Sequence, residues 1–236
     1  MNDRFGGRHQ HGMLRFRASS LLLAFAFACA RKEDPEPLAS YGAKKLSVMR
    51  STDIQGTPIV YAYLFPGDSD DCPPLAKVNA SIDGRTFLVS PGGNGRACFG
   101  ASFRAPLVVL KDGVDFHELS ISDDTGAIHA KVADLRSDAR LLAEHEGDVV
   151  RLRFDKDVRG TIDSAIVVWS GTTQGETSID GGKTVTARVP REVAVPGRVV
   201  VQVDLMVDLE VGGCEGIASC SGNWLVHEVL DVSITR

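Results

Sequence analysis

The stretch VVVQVDLMVDLEV, from Val199 to Val211, constrains the fold of this chain more than any other. Val199, Val201, Val203, Leu205, Val207, Leu209 and Val211 share one parity, and Gln202, Asp204, Asp208 and Glu210 share the other. Side chains on a strand alternate between faces, so this order sets an apolar face against a core and an acidic face into water. A helix would scatter the same residues around its circumference. Gly212-Gly213 follows, then the segment between Cys214 and Cys220, then a second apolar run from Trp224 to Ile234. The pattern predicts a long β-hairpin with a cysteine-stapled tip.

Shorter strands are expected before it. Leu46 to Met49 is one, and Ile59 to Phe65, apolar on both parities, reads as a central strand covered on both sides. Val78, Ala80 and Ile82 alternate up to Asp83-Gly84, a strong hairpin signal, and the chain returns over Thr86 to Ser90. Leu107 to Leu110 is a further strand, and a second hairpin turns at Asp123-Asp124-Thr125-Gly126. Residues 134–147 break the rhythm and read either as a short helix or as a linker into an edge strand. Alternation then resumes at Val150, Leu152 and Phe154, and continues through Ile162 to Trp169 and Val185 to Val189. Ser-Ile-Asp-Gly occurs at 81–84 and again at 178–181, an offset near the length of one sandwich domain.

The amino terminus is of another kind. Arg4, Arg8, Arg15 and Arg17 precede an uncharged run of 11 residues, Ala18 to Ala28, and then Cys29. A basic start, a short apolar run and small residues before a cleavage point make a secretory signal. Ala26-Phe27-Ala28-Cys29 resembles the lipobox of bacterial lipoproteins. The resemblance implies cleavage before Cys29, lipid on that cysteine and, with Ala30 rather than Asp next, placement at the outer membrane where the host has one. Residues 29–44, charged and proline-bearing, read as a flexible tether. Removing residues 1–28 takes away four arginines and Asp3, so Lys+Arg falls from 26 to 22, Asp+Glu from 31 to 30, and the net charge becomes −8. Such an acidic body repels nucleic-acid phosphates.

With Cys29 assigned to lipid, Cys72, Cys98, Cys214 and Cys220 remain, an even number that suits two disulfides in an exported chain. Three pairings are open, and pairing of sequence neighbours is the simplest. Loop closure would then contribute about 3–4 kcal/mol for Cys72–Cys98 and about 2 kcal/mol for Cys214–Cys220. Zinc is the competing use, but no C-x-x-C pair accompanies the cysteines.

Other motifs carry less chemistry. Gly182-Lys183-Thr184 lacks the earlier glycine and the following helix of a phosphate loop, and reads as a hairpin turn. His117-Glu118, His145-Glu146 and His227-Glu228 lack a second histidine at metalloprotease spacing and read as solvated surface pairs. Asp68-Ser69-Asp70-Asp71 and Asp123-Asp124 are acidic clusters suited to turns, with calcium as the alternative. Trp169 and Trp224 read as core residues. The loop between the stapled cysteines, Glu215, Gly216, Ile217, Ala218 and Ser219, is the candidate binding loop, because a staple lowers the entropic cost of binding.

The sequence thus predicts an all-β chain of two tandem immunoglobulin-like antiparallel β-sandwiches after a signal peptide (1–28) and a flexible tether (29–44), with domain 1 over 45–136 and domain 2 over 137–236. At fold level this resembles the Ig-like domains of bacterial surface lipoproteins. The expected role is a non-catalytic binding, adhesion or scaffold module of the cell envelope, anchored in membrane lipid through Cys29 and meeting an envelope protein or glycan. No catalytic residue, metal site or cofactor is assigned. The alternatives are a carbohydrate- or calcium-associated accessory domain and a small envelope hydrolase.

Overall fold

A computed structural model describes residues 36–40, 43–52, 57–66, 75–86, 88–90, 101–106, 110–171, 173–194 and 196–235. In chain order the strands are β1 (Ala43–Thr52), β2 (Pro58–Pro66), β3 (Asn79–Ile82), β4 (Arg85–Thr86), β5 (Leu88–Ser90), β6 (Ala101–Pro106), β7 (Phe116–Ser122), β8 (Ala127–Ala133) and β9 (Leu141–Glu146). They continue with β10 (Val149–Phe154), β11 (Gly160–Trp169), β12 (Thr173–Gln174), β13 (Thr177–Asp180), β14 (Thr184–Arg188), β15 (Gly197–Leu209), β16 (Val211–Glu215) and β17 (Ser219–Ile234). The described residues hold no helix, so the chain is all-β.

The hairpin that dominates the sequence also dominates the fold. β15 pairs antiparallel with β17 from Gly197↔Ile234 to Leu209↔Gly222. Val201, Val203, Leu205, Val207 and Leu209 are buried, with 5% or less of their surface exposed, as their parity requires. This pair lies inside an eight-stranded sheet of order β12-β11-β15-β17-β1-β2-β6-β5. A five-stranded sheet, β16-β8-β7-β3-β4, and a four-stranded sheet, β13-β14-β10-β9, bury their apolar faces with its inner face in one continuous core. Trp169 is fully buried, and its indole N–H has no hydrogen-bond partner. Trp224 is stacked between Phe154 of the four-stranded sheet, 5.1 Å between ring centroids, and the Arg50 guanidinium, 4.0 Å from the ring. Burial holds Arg50 down at about 10 while the Asp134 charge works the other way, so it stays cationic at neutral pH.

Sheet pairing revises the domain division. The eight-stranded sheet takes β1, β2, β5 and β6 from before residue 136 and β11, β12, β15 and β17 from after it. β1 lies parallel to β17, with Lys45↔Ser219 through Arg50↔Trp224. Residues from Glu33 to Arg236 form one compact unit, so the boundary expected at 136/137 cuts through a sheet rather than between domains. Residues 134–147 resolve as the edge-strand alternative, with β9 closing one side of the four-stranded sheet.

Two further expectations change. Ile59 to Phe65 is covered unevenly: Val60, Ala62 and Leu64 are fully buried on one face, while on the other Ile59 is buried and Tyr61, Tyr63 and Phe65 form a partly buried row. The tether is also shorter than 29–44. Leu38 is buried, its N–H donates to Asp123 Oδ2 at 2.6 Å, and the Ala76 N–H donates to the Glu36 carbonyl at 2.7 Å. A bare count of charge and proline over 29–44 misses one apolar side chain that finds a socket. Cys29, Cys72, Cys98, the segment 1–28 and the acidic loop 68–71 lie outside the described residues.

Candidate functional site

The cysteine-stapled tip is built into the fold. β15 ends at Leu209 in the eight-stranded sheet, and after Glu210 the chain crosses to the five-stranded sheet, where β16 pairs antiparallel with β8. The Glu210 N–H donates to Arg159 O, and the Glu210 carbonyl accepts from Ala133 N–H, which fixes the crossing. The chain turns at residues 216–218 and returns as β17. Cys214 on β16 and Cys220 on β17 are bonded, S–S 2.01 Å, so the staple joins the edge of one sheet to a strand of the other.

The backbone approaches here are tight enough to demand glycine. A Cβ at Gly222 would stand 2.5 Å from Val132 Cγ1, where the two sheets press together. Gly216 has φ +75°, and a Cβ on it would stand 2.0 Å from the Ala127 carbonyl. Ile217 is half-buried against the core rather than displayed, and the Ser219 hydroxyl donates to the Lys44 carbonyl at 3.2 Å. Of the expected binding loop, Ala218 and Ser219 remain exposed, Gly216 and Ile217 are structural, and Glu215 alone lines a concavity.

That concavity is a groove of about 530 Å³ on the outer face of the five-stranded sheet. Its lining forms two cross-strand rows. One runs Glu215, His129, Ser120, Ser81, and the other runs Gly213, Lys131, Glu118. Ser81, Ser120 and Gly213 are small and form the trough, while the long side chains stand around it. Lys131 Nζ lies 3.2 Å from Glu118 Oε1 in an exposed ion pair, worth no more than about 1 kcal/mol. The rows offer hydroxyls, an imidazole, carboxylates and an ammonium on a rigid ladder, a set able to donate and accept several directional hydrogen bonds at once. Periodicity could have found it, because Ser120, His129 and Lys131 occupy the outward parity of β7 and β8. What sequence alone lacks is the register that aligns them with Glu215.

The remaining candidates fall elsewhere. His117 is not a solvated surface residue: it is 2% exposed, and its Nδ1 lies 2.8 Å from Asp83 Oδ2. Burial pushes the Asp83 carboxyl up, but the His117 hydrogen bond, the N–H groups of Lys111 and Glu118 and the imidazole charge outweigh it and hold the carboxyl below the usual range. His117 shares its parity with the buried Leu119 and Ile121, a signal the adjacent Glu118 obscured. Glu118 points to the opposite face, as neighbours on a strand must. His145-Glu146 and His227-Glu228 also lie on strands, β9 and β17. Gly182-Lys183 lies in the turn that joins β13 to β14, so a strand follows it and the phosphate-loop geometry is missing.

Asp123 belongs to a turn. Oδ1 accepts from Thr125 N–H, Thr125 Oγ1–H and Gly126 N–H, and Oδ2 accepts from Leu38 N–H. Among the described residues no three His, Cys, Asp or Glu side chains converge as metal ligands. Comparison with known proteins finds no family that matches this chain and no curated protein that matches it.

Proposed function

We propose that the chain is a membrane-anchored exported lipoprotein that acts as a non-catalytic binding module of the cell envelope, with its ligand held in the groove of the five-stranded sheet. The observation that carries this reading is the pair of aligned polar rows, Glu215-His129-Ser120-Ser81 and Gly213-Lys131-Glu118. A trough of small side chains ringed by mixed donors and acceptors suits a polyhydroxylated ligand, so a glycan is favoured over the other envelope partners. The disulfide supports this role, because it clamps β16, one wall of the groove, before any ligand arrives. Anchoring rests on the lipobox-like Ala26-Phe27-Ala28-Cys29.

A glycan array read with the mature protein tests the binding reading. Ser120→Trp fills the trough from an outward position and should weaken any captured glycan at least tenfold without lowering the melting temperature. Capture that survives Ser120→Trp unchanged, or turnover of the bound glycan, sinks the reading. Intact mass from a lipoprotein-competent bacterium tests the anchor. A chain beginning at Cys29 with acyl groups supports it, and a lipid-free chain beginning elsewhere removes it.

A further inference from the structure

The groove of the five-stranded sheet is not electrically even. Its lining holds two carboxylates, Glu118 and Glu215, and one ammonium, Lys131. Glu118 and Lys131 stand directly opposite each other on β7 and β8 and cancel, with Lys131 Nζ 3.2 Å from Glu118 Oε1. Glu215 is left over. His129 is its direct cross-strand neighbour on β8, yet among the described residues no cation or imidazole forms an ion pair with Glu215. Lys131 stands on the diagonal, roughly 7–8 Å away by strand geometry, and is held by Glu118.

The chain on either side of Glu215 is fixed. Cys214 is bonded to Cys220, and Gly216 lies so close to the Ala127 carbonyl that a Cβ would stand 2.0 Å from it. A carboxylate on so constrained a backbone gives up little beyond its own side-chain freedom when it takes a partner. One cross-strand row thus presents an uncompensated negative charge at its β16 end and two hydroxyls, Ser120 and Ser81, toward its other end. Glu215 and Ser81 are three strand spacings apart, about 14 Å.

We propose that Glu215 is the specificity residue of the groove and selects a glycan bearing a free, protonated amine over neutral and acidic glycans. This rests on the reading of the groove as a glycan site. An ammonium donates charge-assisted hydrogen bonds to a carboxylate, about twice as strong as those between neutral groups. An N-acetyl amide in the same place offers only a neutral N–H, and a uronate brings a second negative charge against Glu215. Lys131 does not rescue the uronate, because its charge is already taken up by Glu118.

The probes are tetramers of glucosamine, N-acetylglucosamine and galacturonic acid, each titrated by calorimetry against the full chain in one buffer. The wild type should bind the glucosamine tetramer about fivefold more tightly than the N-acetylated one, the factor an exposed ion pair supports, and the galacturonate most weakly. Glu215→Gln, at an exposed and unpaired position, should bring that ratio close to one without moving the melting temperature. Lys131→Met releases Glu118 and should raise the ratio. Asp231→Asn removes the same charge from an exposed site on β17 outside the groove and should keep the wild-type ratio. That control separates Glu215 from attraction to the acidic body as a whole. A wild type without the preference for glucosamine, or a preference that survives Glu215→Gln, overturns the role of Glu215 even where Ser120→Trp still weakens capture. Binding of none of the tetramers, or binding that Ser120→Trp leaves untouched, fails the groove itself and this proposal with it.

Discussion

Leu205 sits midway along β15, opposite Ala165 on β11 and Val226 on β17, with 3% of its surface exposed. An Asp there would lose the apolar contacts and bury a carboxylate with no cation beside it. Leu205→Asp should therefore cost more than about 4 kcal/mol and abolish the cooperative thermal transition. Asp204→Ala, one residue away on the wet face, should cost less than about 1 kcal/mol, because its exposed contact with His227 is screened. Calorimetry of both variants checks this, and an unchanged melting temperature for Leu205→Asp would reverse the facing of the strand. At this scale the sequence is readable wherever apolar and polar residues alternate without interruption. It is least readable at His117, which the pattern counts as polar. What pays for its burial is Asp83, 34 residues earlier and brought within 2.8 Å only by the pairing of β3 with β7.

At the scale of elements, the Asp123-Asp124-Thr125-Gly126 turn was legible from its residue types, but its second task was not. Asp123 also holds the Leu38 N–H from 85 residues away, so the turn is the socket for the entering chain. That bond comes first among those that hold the Asp123 carboxyl down at about 2, followed by the Thr125 hydroxyl. A folded value below the unfolded one, near 3.9, means the stabilisation is complete above the unfolded value and drains away as pH falls through it toward about 2. Docking of residues 36–40 should thus be at full strength from neutral pH down to about 4, weaken progressively below that, and lose this support once pH falls through about 2. At neutral pH Asp123→Ala should reproduce that loss and open the bond after Leu38 to chymotrypsin, several-fold faster than in the wild type. Equal cleavage rates would show that Leu38 is held by burial alone. The stapled tip repeats the lesson. The hairpin and the Cys214–Cys220 bond follow from local pattern, whereas the departure of β16 to another sheet follows from contacts with β8 that no local pattern carries.

For the whole molecule, the question is what unfolds together. Alternating strands and recurring turns made an all-β chain evident, and they placed two domains where the sheets place one body. Local patterns specify hairpins, and the pairing of β1 with β17 is not a hairpin: Ser47 Oγ and Ser221 Oγ meet at 3.2 Å across 174 residues. That ladder buries Leu46 and Val48 beside Cys220 and Gly222, so each half of the chain supplies an edge the other half covers. Expressed alone, 45–136 would expose β1 along Lys45 to Arg50 and lose β16 from β8, while 137–236 would expose the same stretch of β17. Open strand edges beside uncovered apolar faces favour aggregation over folding. The full chain should melt in one transition, and neither fragment should show a cooperative transition of its own. An equimolar mixture of the two should recover one, since the missing neighbour of each is the other. Two separate fragment transitions that together reproduce the full-length profile would restore the boundary at 136/137 and reduce the shared sheet to a contact between independent domains.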